Sequence, residues 1–191
     1  ITMDDNFLYI SDSGNNDGNR KDLNIIIINH KKNFEKVGSI NFKYSDQSNF
    51  KKRKKHPYDA EALISVNDKL ILFSKNRLTK KTELYLIPKI PGDYELSHIK
   101  SLNSEALITG GDYNDSLKMV ALVGYNKKGN QFIYKINQFE LESIDQLELI
   151  RLKLPLDGKQ IEAVKIVNEN TFFITSEDEG GGHAMLYKIK I

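Results

Sequence analysis

Three glutamates stand at the head of one short phrase: Glu61-Ala62-Leu63, Glu105-Ala106-Leu107 and Glu162-Ala163-Val164. The second follows the first by 44 residues and the third follows the second by 57. Carboxylates that recur at one place in a repeated unit can be brought to one point. There they repel one another, and they need a cation, a lysine or raised pKa values to coexist. Hard oxygen ligands on one point suit Ca²⁺, which makes Glu61, Glu105 and Glu162 candidate metal ligands. A structural reading stands beside this one. A glutamate at the head of each unit can accept backbone N–H bonds from its neighbour, and each unit of a repeat must solve the same packing problem.

The elements that would position these acids follow one grammar. A short apolar strand comes after each acid. A turn rich in Asn and Asp follows: Asp4-Asp5-Asn6, Asn67-Asp68, Asn114-Asp115 and Asn168-Glu169-Asn170. Such side chains bond the nearby backbone and tolerate left-handed conformations. Second strands are expected at Phe7 to Ser11, Leu70 to Ser74, Met119 to Gly124 and Phe172 to Ser176. After a polar loop, third strands carry Ile25 to Ile28, Leu84 to Ile87, Ile133 to Ile136 and Leu186 to Ile189. A fourth strand is plain in the first unit, where Ile40, Phe42 and Tyr44 alternate with polar residues. Residues 138–154 are read as two strands with a short helix or turn between them, with Phe139, Ser143, Leu147 and Ile150 at helical spacing.

Repeated four-stranded antiparallel units are the design of a β-propeller. A β-sandwich of similar hairpins is the competing fold, but it gives no reason for the recurring acid. The expectation is an all-β single domain with blades at about 1–58, 59–103, 104–159 and 160–191. Ile1 aligns with Ile64, and no fourth strand follows the last unit. Four blades of a larger, five- or six-bladed ring are therefore expected, with further blades upstream.

Strand direction then places the chemistry. The first strand of a blade lies nearest the axis, so Glu61, Glu105 and Glu162 should ring one mouth of the channel. The second strand runs back to that mouth and ends at Asp12, Lys75, Tyr125 and Glu177, the candidate ligand-binding positions. Lys75 can neutralise part of the acid cluster.

An acid, a small residue and an apolar residue at the head of an inner strand resemble the calcium-dependent propeller hydrolases of the gluconolactonase and SMP-30 type. Those carry Glu-Gly-Pro at the head of a blade. Asp59-Ala60-Glu61-Ala62-Leu63 and Gln160-Ile161-Glu162-Ala163-Val164 look closer to propellers of the SdiA-regulated and phytase-esterase-like kind, secreted bacterial members included. The resemblance implies a periplasmic or secreted location. It also implies a metal-ligand role for the acid, carried over to Glu61, Glu105 or Glu162. Here Ala replaces Gly, no Pro follows, and Lys75 and Tyr125 stand where acids end two strands.

Composition narrows the classes. The 191 residues carry 39% hydrophobic and 28% charged residues and a net charge of +2. That charge is too small to imply nucleic acid or an acidic membrane surface, and no apolar run approaches the length of a membrane span. There is no Cys and hence no disulfide or thiolate chemistry. Without Trp, stacking falls to nine Tyr and nine Phe. Lys51 to His56 is read as a solvated loop, with any nucleic-acid binding weak and sequence-blind. Gly180-Gly181-Gly182-His183 lacks the Lys and helix of a phosphate loop. Asp12 to Asn19 fails the calcium-loop register, because Ser13 and Asn24 fall at its two key ligand positions. The four His have no metal spacing, and no nucleophile elbow is present. The expected function is a binding or scaffold module with a small-molecule or protein ligand at the channel mouth. The alternative is a Ca²⁺-assisted hydrolase of a lactone, ester or phosphoester.

Overall fold

The computed structural model describes residues 1–156, 158–178 and 183–191. Gly180 to Gly182 lie outside the described residues. Strands dominate, and they form four sheets arranged as the blades of a β-propeller. The first sheet runs β1 (Thr2–Met3), β2 (Phe7–Asp12), β3 (Asn24–Asn29) and β4 (Glu35–Tyr44). The second is β5 (Ala60–Val66), β6 (Lys69–Ser74) and β7 (Thr82–Pro88). The next strand, β8 (Gly92–Leu96), leaves this sheet. It pairs in parallel with β4, Ile40 opposite Gly92 and Tyr44 opposite Leu96. The chain then returns, and β9 (Lys100–Leu102) closes the second sheet against β7. The third sheet is β10 (Leu107–Asn114), β11 (Met119–Tyr125), β12 (Gln131–Ile136) and β13 (Ile150–Leu154), and the fourth is β14 (Ile161–Asn168), β15 (Thr171–Ser176) and β16 (Met185–Lys190).

The Asx turns work as their side chains dictate. Asp4 Oδ1 accepts the amides of Asn6 and Phe7 at 3.0 and 2.9 Å. Asn114 Oδ1 accepts Leu117 N at 3.0 Å, and Asn168 Oδ1 accepts Asn170 N at 3.1 Å. Asn67 takes φ +49°, in the left-handed region that Asn tolerates.

Two expectations change. The fourth sheet has three described strands, as a last unit without a fourth strand should, but the first is not simply four-stranded and antiparallel: β8 gives it a parallel fifth strand. Gly38 in β4 permits this, because a Cβ there would lie 2.8 Å from the Pro91 ring at the entry to β8. Residues 138–154 hold one strand rather than two. Gln138 turns left-handed at φ +51° and ends the extended run. A 3₁₀ helix, Leu141–Gln146, follows, and only β13 is a strand. Phe139, Ile144 and Leu147 plug the core from this segment.

Three apolar layers lie between the sheets. Tyr9, Ile25, Ile27 and Ile40 of the first sheet meet Leu63, Leu70 and Leu72 of the second. Ile64, Ile71 and Phe73 meet Ile108, Val120 and Leu122 of the third. Ala121, Val123 and Ile133 meet Val164, Phe172 and Ile174 of the fourth. The middle sheets are therefore covered on both faces. This explains why Leu70-Ile71-Leu72-Phe73 is a continuous apolar run, all of it fully buried. The end sheets each keep one more accessible face, with Leu8, Ile10, Ile26 and Ile28 on one and Phe173 and Leu186 on the other.

The inner strands meet at close quarters. Gly110 packs so tightly that a Cβ would stand 2.5 Å from Glu162 O and 3.0 Å from Ala163 Cα. Both are backbone atoms, so neither can swing aside. Gly110→Ala should cost about 1–3 kcal/mol, the range for overpacking, and lower the urea midpoint accordingly. Gly14→Ala, whose Cβ meets nothing within 4 Å, should leave the midpoint nearly unchanged.

Candidate functional site

A mouth pocket of about 420 Å³ draws its lining from all four blades. Asn16 and Lys54 come from loops of the first. Glu61, Lys75 and Arg77 come from the second, Tyr125 from the third, and Gln160, Glu162 and Glu177 from the fourth. Five of the seven positions expected from strand direction are therefore brought together: Glu61, Lys75, Tyr125, Glu162 and Glu177.

The strands explain how. Glu61 and Glu162 each occupy a β-bulge, between Ala60 and Ala62 and between Ile161 and Ala163. A bulge adds one residue against its partner strand and re-aims that side chain. Opposite the bulges, β6 and β15 end at Ser74 and Ser176, so Lys75 and Glu177 follow at matching places.

Glu105 and Asp12 go elsewhere. The bulge of the third sheet falls between Ile108 and Gly110, so Thr109 holds the place that Glu61 and Glu162 hold in their sheets. Thr109 is buried, and its hydroxyl donates to Ile161 O at 2.6 Å. Glu105 stands at φ +54° before β10 and pairs with Arg151 in a separate cleft. A count from the Asx turns carries the signal. Glu61 precedes Asn67 by six residues and Glu162 precedes Asn168 by six, whereas Glu105 precedes Asn114 by nine. Asp12 is exposed and held by Arg20, with one contact of 2.6 Å; that ion pair lowers its pKa.

Most charges in the pocket are matched. Lys75, whose side chain is 3% exposed, donates to Glu61 Oε2 at 2.7 Å and lies 5.4 Å from the centroid of the Tyr125 ring. Arg77 Nε donates to Asp59 Oδ2 at 2.8 Å, and its guanidinium also reaches Asn16 Oδ1. Asp59 is fully buried and also accepts Asn15 N at 2.7 Å, which ties the first blade to the second. Lys54 pairs with Asp17 at 2.7 Å. Gln160 Nε2 donates to Glu162 Oε1 at 2.6 Å. Among the described residues, no ion pair is formed by Glu162 or Glu177.

Burial pushes the Glu61 carboxyl up even though Lys75 opposes it. Burial also raises Glu162. Its bond from Gln160 and the charge of Lys75 work against the rise, and the charges of Glu61 and Glu177 add to it. Asp59, Arg77, Asn16, Lys54 and Gln160 were not singled out by the repeat, because they lie in loops that differ between units.

The donor set does not fit the calcium expectation. Glu61 is engaged by Lys75, Glu105 is in another cleft, and no group of three His, Cys, Asp or Glu among the described residues could hold a metal ion. Of the basic run, Lys52 and Lys54 pair with Asp17, and His56 is buried with Nε2 3.2 Å from Asn16 O. Comparison with protein-family models gives no match, and neither does comparison with curated protein sequences.

Two substitutions separate the glutamates. Glu61→Gln strips the buried Lys75 of its carboxylate and should destabilise, by less than the about 3 kcal/mol of a broken buried pair, because it also relieves the burial that raises the Glu61 pKa. Glu162→Gln should act the other way. Its folded-state pKa lies above the ordinary 4.5, so the fold disfavours the ionised form. The wild type loses that part of its stability as pH rises through the folded pKa, and the Gln variant does not. Melting curves should show Glu162→Gln more stable than wild type at pH 7, with the gap closing below the ordinary value.

Proposed function

We propose that this protein is a binding module whose ligand site is the mouth pocket. A propeller fold supports a scaffold or binding role in general. The observation that carries the finer reading is the charge balance. Lys75, Arg77 and Lys54 each have a carboxylate, while Glu162 and Glu177 form no ion pair among the described residues. The pocket therefore asks for a ligand that brings hydrogen-bond donors or a positive charge. Its volume of about 420 Å³ lies within the usual 300–1,000 Å³ for small-molecule sites. The ligand class is a small polar molecule with an ammonium group and hydroxyls. Lys75 already occupies the face of Tyr125, so hydrogen bonding rather than stacking would orient it. Kinship with the gluconolactonase-type and SdiA-regulated propellers is proposed on the phrases at Glu61 and Glu162, and Thr109 marks where the third blade departs.

Glucosamine is a suitable probe, with glucose as its uncharged counterpart. Titration followed by calorimetry should show saturable glucosamine binding, stronger than glucose. The Glu162→Gln/Glu177→Gln double variant should weaken it at least about tenfold, or 1.4 kcal/mol. Equal binding of both sugars, or no effect of the double variant, would sink the reading.

A further inference from the structure

A second cleft, of about 640 Å³, opens at the rim between the second and third sheets. Its walls are cationic: Lys80 from the loop after β6, Lys127 and Lys128 from the loop between β11 and β12, and Arg151 on β13. Phe132 forms part of the floor. The Arg151 guanidinium lies 4.9 Å from the centroid of that ring, a cation–π contact. Among the described lining residues one carboxylate enters the cleft, that of Glu105, and it sits on Arg151.

Lys153 also lines the cleft, and three of its other cations, Lys80, Lys127 and Lys128, stand apart from Glu105. Lys80 Nζ bonds a carbonyl, Arg77 O, at 3.1 Å. No carboxylate pairs with Lys80, Lys127 or Lys128 among the described residues. Burial lowers the Lys80 pKa, and the charges of Lys127, Arg77 and Lys55 lower it further. Like charges gathered in a cleft raise the local concentration of counter-ions.

The walls are also held in place. Lys80 and Glu105 both take left-handed backbone, at φ +63° and +54°. Such conformations persist where the surroundings over-determine them, and they cluster at functional sites. Here buried Ser104 donates to Lys80 O at 2.9 Å, and Tyr134 Oη donates to Ser104 O at 2.7 Å. On the other wall, Asn126 Oδ1 accepts the amides of Lys128 and Asn130 at 2.9 and 3.2 Å. The lysines are presented by tethered loops.

We propose that this cleft binds a small polycarboxylate, one carboxylate on Arg151 in place of Glu105 and the others on Lys80, Lys127 and Lys128. Glu105 already shows a carboxylate seated on that arginine. Its own side chain is the competitor that an incoming ligand displaces. The site shares no lining residue with the mouth pocket.

The probe is citrate, titrated into the whole protein by calorimetry, with acetate and pyrophosphate in parallel. Citrate should bind saturably, more tightly than acetate, and less tightly as salt is raised. Lys127→Ala/Lys128→Ala, both surface changes, should weaken it about tenfold or more. Glu105→Gln should tighten it several-fold by freeing Arg151, a response that a diffuse basic surface would not give. Glu162→Gln should leave citrate binding unchanged, so failure here and failure at the mouth pocket are read separately. Absence of citrate binding, indifference to the lysine pair, weakening by Glu105→Gln, or preference for pyrophosphate over citrate would each overturn the proposal.

Discussion

The blades are positioned by how closely their inner strands approach, and hydroxyls join them there. Thr109 donates to Ile161 O at 2.6 Å, from the third sheet to the fourth. Ser13 donates to Ala60 O at 2.8 Å, from the first to the second. Each hydroxyl satisfies a carbonyl next to a bulge, where the regular ladder is interrupted. An unbonded carbonyl buried there would cost about 1–3 kcal/mol. Gly110 lets the strands come near enough for the bond from Thr109 to form. The apolar layers between sheets are larger in energy but not directional; the hydroxyl bonds fix which atoms face the axis.

The bulges also decide the chemistry of the mouth. In two sheets the extra residue is a glutamate that reaches the pocket, and in the third it is a threonine spent on the neighbouring blade. A single substitution in this place converts a pocket-lining charge into a structural bond. The two sites at this end then differ in sign. Among the described residues, the mouth pocket pairs its cations and leaves Glu162 and Glu177 without an ion pair, whereas the rim cleft pairs Glu105 and leaves Lys80, Lys127 and Lys128 without one. Lys75 is buried against Glu61 and Tyr125, which leaves it committed to the fold.

Much of the fold was legible because each level of the sequence agreed. The Asx turns, the apolar second strands and the third strands all fell where their residue types put them. Five of the nine residues that line the pocket, Glu61, Lys75, Tyr125, Glu162 and Glu177, were placed on one face by strand direction. Glu105 misled because Glu-Ala-Leu recurs there as a phrase, whereas register is set by the turn and the bulge. Asp59, fully buried and linking two blades, was not seen as a site residue because its partners Asn15 and Arg77 are distant in sequence. The path of β8 was hidden for a related reason. Its residues, Gly92–Leu96, carry no mark of which sheet they join; the close fit of Pro91 to Gly38 appears only in three dimensions.

That path has a consequence for how the molecule holds together. Parallel strands need a long crossover between them. Between β4 and β8 the crossover is most of the second sheet, β5 to β7. The first two blades are therefore interlaced. The first sheet cannot gain its outermost strand until the chain has passed through the second, and the second cannot peel away without breaking the first. The entropy of closing that long loop falls on one step. β8 also covers the edge of the ten-residue β4, which would otherwise present a template for another chain. The detour thus links the assembly of two blades and guards one of them against aggregation.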